Sequence, residues 1–370
     1  MTGLYLHIPF CAQKCAYCDF VSYGGRESLL PSYLSALKRE AETYRGEKIG
    51  TVFFGGGTPS LMSEKQIEDL CAFVRDCFDL APDVEWTMEA NPASVTKEKM
   101  LAALSGGVNR VSLGAQSLSD DVLAFLGRAH TRAQLETAVE AVKTAGFDKW
   151  NLDLITALPG QTAEAWGNTL KEAIAFAPTH ISCYSLICDP QTPLGRMAAK
   201  GEIVLPDDEQ ERAMVHLTEQ TLARAGYEQY EISNFALPGH ACRHNINYWE
   251  CGDYIGLGCA AHSLFRGARK RNTPSLPRYL TAADPTEETQ TLSDRDKREE
   301  RVFLGLRMNR GVDIARFERD FALDFHAFYA SALQTNLDRG FLEEAEGFLR
   351  LTARGRDFCD TVAAEFMETA

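Results

Sequence analysis

Three cysteines in a short N-terminal segment, HIPFCAQKCAYCDF, constrain this chain more than any other feature of its sequence. They stand at Cys11, Cys15 and Cys18. The C-x3-C-x2-C spacing lets three thiolates point at three corners of one [4Fe–4S] cube and leaves the fourth iron without a protein ligand. An open iron can bind a small molecule and pass it one electron. Two alternatives stay open from these residues alone: free thiols, and a zinc site with His7 nearby.

The charge of the 370-residue chain excludes one broad class of partner. The formal net charge is -14 and the isoelectric point about 5.1, which argues against non-specific binding to nucleic acid or anionic lipid, because either needs a basic face. The opening MTGLYLHIPF has no signal-peptide pattern, and no stretch approaches the roughly 18 apolar residues of a membrane span. Eleven cysteines without a secretory signal indicate a reducing compartment, so we expect a cytoplasmic protein.

Six apolar segments in the first two-thirds of the chain predict strands that alternate with amphipathic helices. The segments are Leu4–Ile8, TVFFGGGTPS, VEWTMEANP, RVSLGAQS, KWNLDLITALPG and HISCYSLI. Among the helices, SEKQIEDLCAFVRDCF opens with a Ser63–Gln66 capping box, and Thr96 and Gly106 bound the helix in TKEKMLAALSGG. Repeated βα units predict a parallel sheet.

The ends of these strands favour a curved sheet over a flat one. Small or polar residues stand at the C-terminal ends of five strands, at Gly55, Glu89, Gln116, Asp153 and Ser185. In a barrel the chemistry sits at that rim. Five strands that send such groups towards one mouth therefore favour a partial (β/α)6 barrel, similar to a TIM barrel, over a doubly wound α/β sheet.

The character of the sequence changes after the predicted barrel, and three parts are predicted. Residues 1–225 form the barrel. Residues 226–285 are rich in glycine and aromatic residues, lack a clear period and are predicted as a connecting segment. Residues 286–370 return to short helical patterns with the hairpin-like FLEEAEGFLRLTARGRDF, which predicts a smaller helical C-terminal domain resembling a winged helix.

Several residues at the predicted rim are candidates for binding a ligand. The glycines of Gly55–Pro59 would let the backbone approach a ligand closely, although a simple tight turn would look the same. Glu89 is a strand-end carboxylate suited to an amine or to ribose hydroxyls. Gln116, Arg128 and Asp153 come from successive later units. For each of them the alternative is a satisfied polar group on the rim.

The ordered set of motifs resembles a known family. YLHIPFCxxxCxxC, GGGTP, the strand-end Glu89, SLGAQS, LGRAH and NLDLITALPGQT are together similar to radical SAM proteins. More narrowly, they resemble the branch that contains the oxygen-independent coproporphyrinogen III oxidases (HemN) and the HemW heme chaperones. The likeness runs from Tyr5 to about Ser263, and more loosely through the C-terminal part. It implies the radical SAM fold, a [4Fe–4S] cluster and S-adenosylmethionine.

The resemblance also implies roles for single residues. The cluster would be held by Cys11, Cys15 and Cys18, and S-adenosylmethionine would chelate its free iron. Positions that bind this S-adenosylmethionine in the oxidase branch match Tyr5, Gly56 and Glu89. Positions around a second S-adenosylmethionine match Tyr17, Gly57, Thr58, Gln116, Arg128 and Asp153. One electron into the sulfonium bond yields methionine and a 5′-deoxyadenosyl radical, so the cofactor carries the chemistry and the protein orients it.

Two departures from the oxidase pattern argue against decarboxylation of a porphyrinogen. The oxidases carry a further cysteine two residues after the triplet, where this chain has Phe20. They also carry an N-terminal extension that covers the active site, whereas only four residues precede Tyr5 here.

The segment ACRHNINYWECG carries a motif that the resemblance links to heme. It matches the HNxxYW motif of HemW-type proteins, which predicts a heme site at His244, Asn245, Tyr248 and Trp249. Imidazole is a good iron ligand, and the two aromatic rings offer flat apolar faces to a macrocycle. Without the resemblance, the same residues would be a His–Asn turn that caps a strand beside two core aromatics. The iron-binding atom stays open, because close in sequence are Cys242, Cys251 and His262.

These features predict a heme chaperone that binds a cluster, S-adenosylmethionine and heme, and delivers heme to acceptors such as respiratory enzymes. The rival is an oxygen-independent coproporphyrinogen III oxidase, in which Arg128 and other rim cations pair with propionates. A radical enzyme acting on an unrelated substrate is a third alternative. Cleavage of S-adenosylmethionine is left open. A cluster-dependent homodimer and peripheral contact with membrane complexes are compatible with a carrier, and nucleic acid is not an expected partner.

Overall fold

Six parallel strands form the centre of the main sheet in the computed structural model, which describes residues 1–367. The first eight strands are β1 Thr2–Ile8, β2 Phe10–Cys11, β3 Tyr23–Gly24, β4 Lys48–Gly56, β5 Asp79–Ala90, β6 Arg110–Gln116, β7 Trp150–Thr156 and β8 His180–Ser185. The central strands lie in the order β1-β4-β5-β6-β7-β8, which is also their order along the chain. Right-handed crossovers that all advance in one direction place every helix on the same face, so the sheet is of the barrel type and not doubly wound. The predicted six βα units are confirmed.

Eight helices connect and cover these strands. They are α1 Leu30–Ala41, α2 Glu64–Cys77, α3 Lys97–Gly106, α4 Asp120–Phe125, α5 Arg132–Ala145, α6 Ala163–Ala175, α7 Pro193–Ala199 and α8 Asp208–Arg224. The predicted capping box of α2 is present, since Gln66 N–H donates to Ser63 Oγ and Ser63 N–H donates to Gln66 Oε1. Helix α3 continues through Gly106, and Gly107 takes the left-handed C-cap conformation with φ 108°, one residue later than predicted.

Successive side chains of the first two barrel strands alternate between the hydrophobic core and the barrel interior. Leu4, Leu6 and Ile8 are buried in the main hydrophobic core. Tyr5 and Phe53 lie on the opposite face, with their ring centroids 6.2 Å apart. This two-residue period is what directs the polar and aromatic side chains of the strands into the barrel.

Residues 226–291 add strands to both edges of the barrel sheet. The elements are β9 Glu228–Glu231, β10 Asn234–Ala236, α9 Arg243–Trp249, β11 Tyr254–Leu257, β12 His262–Phe265, β13 Ala268–Asn272, α10 Leu276–Thr281 and β14 Thr286–Thr291. Strand β10 pairs antiparallel with β8, and β11 pairs in parallel with β1. The segment predicted as a connection thus carries short strands, whose lengths are too small to show a clear sequence period. The predicted domain boundaries stay a prediction.

The C-terminal part has a hydrophobic core of its own. Its elements are α11 Asp294–Gly305, β15 Val312–Asp313, α12 Ile314–Phe321, α13 Phe325–Phe328, α14 Ala330–Asp338, β16 Leu342–Ala345, β17 Phe348–Leu351, α15 Ala353–Arg356 and α16 Cys359–Ala364. Phe317, Phe325, Leu349 and Val362 are fully buried in this second core. The predicted hairpin is present as β16 and β17. No helix within residues 1–367 combines the length and the apolarity needed to cross a bilayer.

The end of α9 attaches the C-terminal part to the barrel. The Arg307 guanidinium lies 4.6 Å from the centre of the Trp249 ring, and its Nη2 is 3.8 Å from Oε2 of the fully buried Glu231. Glu250, next to Trp249, pairs with Arg310 and Arg316. Because Arg307 contacts both an aromatic face and a buried carboxylate, this attachment is stronger than a surface ion pair.

We expect Arg307→Ala to loosen the C-terminal part. The change removes the cation from the Trp249 face and leaves the Glu231 carboxylate buried with fewer partners, so the free energy of unfolding should fall by about 1–3 kcal/mol. Denaturant unfolding, followed together with limited proteolysis, measures the loss. Arg319→Ala, at a side chain 69% exposed, is the matched control and should change little. Equal stability of the two variants would contradict this account of the attachment.

Candidate functional site

A cavity of about 400 Å³ opens where the carboxyl ends of the parallel strands meet the cysteine loop. Every residue predicted for the cluster and for S-adenosylmethionine lines it except Tyr5: Cys11, Cys15, Tyr17, Cys18, Gly56, Gly57, Thr58, Glu89, Gln116, Arg128 and Asp153. Parallel strands end at one rim, so side chains far apart in the chain converge there. The tertiary structure thus brings the predicted residues together, while their ligands stay a prediction.

The cysteine loop is tied to the barrel at both of its ends. Cys11 lies on β2, which pairs with β3, and its Sγ is 3.6 Å from Thr58 Oγ1. Ala16 N–H donates to the carbonyl of Leu126 at 2.9 Å, and Arg128 Nη1 donates to Cys15 Sγ at 3.4 Å. These contacts place the thiols of Cys11 and Cys15 at the cavity.

The spacing of the sulfurs bears on the zinc alternative. Within residues 1–367, no three His, Cys, Asp or Glu ligand atoms that include a cysteine of the triplet lie within 4.8 Å of one another. Tetrahedral zinc with four thiolates would need sulfurs about 3.8 Å apart, given Zn–S bonds of about 2.3 Å. Burial raises the pKa of the Cys18 thiol to about 11, so the thiol keeps its proton at neutral pH. Binding of a metal would displace this proton.

A glycine turn lets the cysteine loop pass directly over the end of β4. Gly57 N–H donates to the carbonyl of Ile8 at 2.9 Å, and a β-carbon on Gly57 would lie 2.7 Å from the Phe10 oxygen. Gly56 has φ 107°, and its β-carbon would lie 2.3 Å from His7 Nδ1. Side chains at these positions would push Cys11 away from the cavity, so the glycines are required by close approach.

Two half-buried carboxyl groups share the cavity. Glu89 Oε2 accepts from Gly56 N–H at 3.1 Å, while Asp153 accepts from the Ser112 hydroxyl at 2.9 Å and from the Asn151 amide at 2.8 Å. Burial and the neighbouring Asp153 raise the pKa of Glu89 to about 8, and burial raises that of Asp153. A bound cation, such as an amine or a sulfonium, would lower both pKa values and restore the charges.

Arg128 lines the same cavity and has one buried donor without a partner within residues 1–367. Its Nη2 donates to the Gly114 carbonyl at 2.6 Å and its Nη1 to Tyr17 Oη at 3.4 Å, but its buried Nε has no partner among the described residues. A buried guanidinium N–H without a partner costs free energy unless a ligand accepts it. Gln116, with φ 65° at a bulge of β6, lies beside it.

Tyr5 lies beneath the cavity and not on its wall. His7 Nε2 lies 2.9 Å from the Val21 carbonyl and must donate to it, so Nδ1 accepts from the Tyr5 hydroxyl, also at 2.9 Å. A β-carbon on Gly55 would be 3.0 Å from the Tyr5 ring and 3.1 Å from Glu89 Oε2, so both side chains lie close to the glycine turn.

Sequence reasoning missed several residues that line the cavity: Asn91, Ser112, Tyr184, Ile187 and Asp189. Ser112 could have been predicted from the sequence, because residues 112, 114 and 116 of one strand share a face. Tyr184 and Ile187 belong to the exit from β8, where no pattern in the sequence predicts that apolar side chains stay exposed.

The HNxxYW motif lies at the opposite end of the barrel, on α9. His244 is buried, its Nδ1 is 2.8 Å from Thr51 Oγ1, its Nε2 is 2.9 Å from Tyr248 Oη, and its ring stacks on Phe53 at 5.1 Å. Glu85 anchors the same turn by accepting from His244 N–H at 3.1 Å. Helix α9 thus closes the floor of the barrel.

The geometry of the motif limits how it could bind heme. Both ring nitrogens of His244 are engaged, so ligation of iron would require one of these contacts to break. Trp249 faces Arg307, and Asn245 is half-buried. Of the alternative ligands, Cys242 is buried, Cys251 is half-buried and His262 is exposed. The assignment of heme to the motif stays a prediction.

Two family models match the chain, and they correspond to its two cores. The model of the Radical SAM superfamily matches residues 5–173, and that of the HemN C-terminal domain matches residues 292–358. The first range carries the cysteine loop and the strands whose ends form the cavity. The fold and the site therefore define a radical SAM protein, a class that implies a [4Fe–4S] cluster and S-adenosylmethionine.

Relatives of nearly the same length narrow the class to one family. The heme chaperone HemW of Lactococcus lactis is 35% identical over 98% of this chain and 96% of its own. HemW of Bacillus subtilis is 33% identical over 99% of both chains, and that of Escherichia coli is 34% identical over 99% of this chain and 98% of its own. The chain belongs to the HemW family.

A solved structure supports the fold. Coproporphyrinogen III oxidase (HemN) from Escherichia coli, described as a radical SAM enzyme, is 24% identical with a TM-score of 0.86, over 99% of this chain and 90% of that one. At this identity the likeness concerns the fold, including the C-terminal part.

We expect His244→Gln to remove an acid-sensitive contribution to stability. Burial lowers the pKa of His244 to about 3 from its ordinary 6.5. Below pH 6.5, therefore, this histidine binds a proton in the unfolded chain but stays neutral in the folded protein. As the pH falls from 6.5 towards the folded-state pKa, the contribution of His244 to the free energy of unfolding of the wild type decreases by about 1.4 kcal/mol per pH unit. The measurement is the difference in unfolding free energy between variant and wild type at pH 7.5 and 4.5, which should shrink by about 2–3 kcal/mol at the lower pH.

The variant has to be compared with the wild type because other groups change the free energy of unfolding in the opposite direction as the pH falls. Burial raises the pKa of Glu89 to about 8 and that of Glu40 to about 7, so their contributions fall as the pH rises. His216→Gln, at a side chain 42% exposed, is the control and should show no such shrinkage. A pH-independent difference for His244→Gln would mean that the imidazole is not buried in neutral form.

Proposed function

We propose that this protein is a heme chaperone: it binds heme and delivers it in the cytoplasm to acceptor proteins such as respiratory enzymes. The observation that carries the proposal is the similarity over nearly the whole chain to proteins named heme chaperone HemW, at 33–35% identity for three of them. A cluster-dependent homodimer and peripheral contact with membrane complexes belong to the same proposal.

The proposed cofactor site follows from the cavity. Cys11, Cys15 and Cys18 would hold the cluster, which when bound supplies one electron to a sulfonium. The carboxyls of Glu89 and Asp153 would face the positive groups of S-adenosylmethionine, and the Arg128 guanidinium would take its carboxylate. The remaining proposed contacts come from Tyr5, Tyr17, Gly56, Gly57, Thr58 and Gln116. These residues orient the ligand and exclude water from it.

A second candidate function is the oxygen-independent oxidation of coproporphyrinogen III. The TM-score of 0.86 to HemN favours a shared fold, and this is the observation behind the alternative. Phe20 occupies the position of the additional oxidase cysteine and is 63% exposed at the cavity mouth, which favours the chaperone.

We expect Cys15→Ser to lose the iron–sulfur cluster and to keep the fold. Serine replaces the thiolate with a poor iron ligand, and Cys15 is half-buried in a loop outside the hydrophobic cores. Anaerobic reconstitution with iron and sulfide, followed by visible absorbance and metal analysis, measures the loss, and circular dichroism reports the fold. Cys251→Ser, at another half-buried cysteine, should keep the full cluster. A full cluster in Cys15→Ser would refute the ligand assignment, and zinc at the wild-type thiols would refute the site.

One reconstituted sample separates the two functions. We expect it to bind heme with a defined Soret band and to transfer heme to a heme-free acceptor. We also expect no carbon dioxide and no protoporphyrinogen when it is incubated anaerobically with reductant, S-adenosylmethionine and coproporphyrinogen III. Decarboxylation at a steady rate would establish the oxidase and overturn the chaperone. Absence of both heme binding and decarboxylation would favour a radical enzyme with an unrelated substrate.

A further inference from the structure

A chain of hydrogen bonds runs inside the barrel from β9 to the Asp153 carboxyl at the cavity. The Tyr230 hydroxyl lies 2.9 Å from Nε2 of His180, and Nδ1 of that ring lies 2.7 Å from Oδ1 of Asn151. Asn151 Nδ2 donates to Asp153 Oδ1 at 2.8 Å. We call Tyr230, His180 and Asn151 the polar chain. Asp153 lines the cavity, whereas the polar chain lies behind its wall.

The hydrogen bonds of the polar chain run in one direction. Oδ1 of Asn151 is a carbonyl oxygen and can only accept, so Nδ1 of His180 carries the proton. Burial, together with Arg110 and His240, lowers the pKa of His180 well below its ordinary value, so the imidazole is neutral and its Nε2 must accept. The Tyr230 hydroxyl therefore donates to Nε2. Each donor thus points towards the cavity.

Both oxygens of the Asp153 carboxyl accept a hydrogen bond at the end of this chain. Asn151 donates to Oδ1, and the Ser112 hydroxyl donates to Oδ2 at 2.9 Å. The same amide of Asn151 donates to Ser112 Oγ at 2.7 Å, which leaves the hydroxyl proton for Asp153. A carboxyl that accepts on both oxygens is stabilised as the anion. The two donors therefore oppose burial, which raises the pKa of Asp153.

Strand register brings the members of this network together. Residues 151 and 153 share one face of β7, and the partner of Asn151 on the neighbouring β8 is His180. His180 is 1% exposed and Asn151 is 3% exposed. An unpaired donor or acceptor costs free energy at such positions, so the chain keeps one arrangement of its protons.

We propose that His180 and Asn151 are positioning residues for the cofactor: they hold Asp153 as an oriented anion that faces a positive group of S-adenosylmethionine. This inference rests on the proposed function, in which that ligand occupies the cavity. His180 and Asn151 lie behind the cavity wall, so they act through the carboxylate. A carboxylate that is already ionised and fixed binds a cation without first losing a proton or changing its conformation, so the affinity is higher.

The test is a double-mutant cycle on the reconstituted protein, titrated anaerobically with S-adenosylmethionine. His180→Phe keeps a ring but removes the donor to Asn151, and we expect the dissociation constant to rise about three- to tenfold. Asp153→Asn removes the anion itself and should raise the dissociation constant about tenfold or more. Because His180 acts through Asp153, the double variant should bind no more weakly than Asp153→Asn alone.

Two further variants separate positioning from a general loss of structure. His180→Asn can place an amide N–H where Nδ1 stands, so it should recover most of the affinity that His180→Phe loses. Tyr227→Phe is the matched control, because it also removes a buried donor, the hydroxyl that bonds the Pro178 carbonyl at 2.6 Å. Its affinity for S-adenosylmethionine should stay within about twofold of the wild type.

Each outcome decides the inference. Additive losses in the cycle, or an unchanged affinity in His180→Phe, overturn it while the proposed cofactor site stands. An equal loss in His180→Asn would mean that the ring only fills space, and this also overturns it. If circular dichroism shows that His180→Phe does not fold, Asn151→Ala takes its place in the same cycle, with the same expected non-additivity. A wild type that does not bind S-adenosylmethionine overturns the proposed cofactor site and this inference together.

Discussion

The close crossing of the cysteine loop over the end of β4 is the constraint on which the site depends. Gly57 N–H donates to the Ile8 carbonyl at 2.9 Å, and a β-carbon at Gly57 would lie 2.7 Å from the Phe10 oxygen. Backbone thus packs on backbone without an intervening side chain. This approach places Cys11 beside Thr58 and encloses the cavity between the loop and the strand ends. A wider crossing would leave the thiols on an open surface.

The site holds polar groups that the protein alone does not fully satisfy. Desolvation raises the pKa values of Glu89 and Asp153, and Arg128 has a buried donor without an acceptor. Unsatisfied groups of this kind cost free energy in the folded state and are retained where a ligand satisfies them. The proposed S-adenosylmethionine carries a positive centre for the two carboxyls and a carboxylate for the guanidinium. The same preorganisation would orient such a ligand towards the cysteine loop.

Helix α9 links three parts of the molecule. Its first turn places His244 in the barrel interior, where the ring stacks on Phe53 beneath Tyr5. At its end, Trp249 contacts Arg307 of the C-terminal part, and the next residue, Glu250, pairs with Arg310. The motif was predicted from its resemblance as a heme site, but the resemblance could not show that its imidazole closes the barrel floor. Side-chain hydrogen bonds between residues 51 and 244 depend on tertiary packing, and no local pattern encodes them.

The sequence by itself determined the cysteine spacing, the six βα units, the capping box at Ser63 and the strand-end polar residues, because each depends on local periodicity or on neighbours a few residues apart. Only the tertiary structure decided that the short strands after residue 226 extend both edges of the sheet and that Phe20 and Ile187 line one cavity. It also decided that His244 has no free nitrogen. These features join residues far apart in the chain, and such contacts follow from strand order and packing, which one sequence does not display.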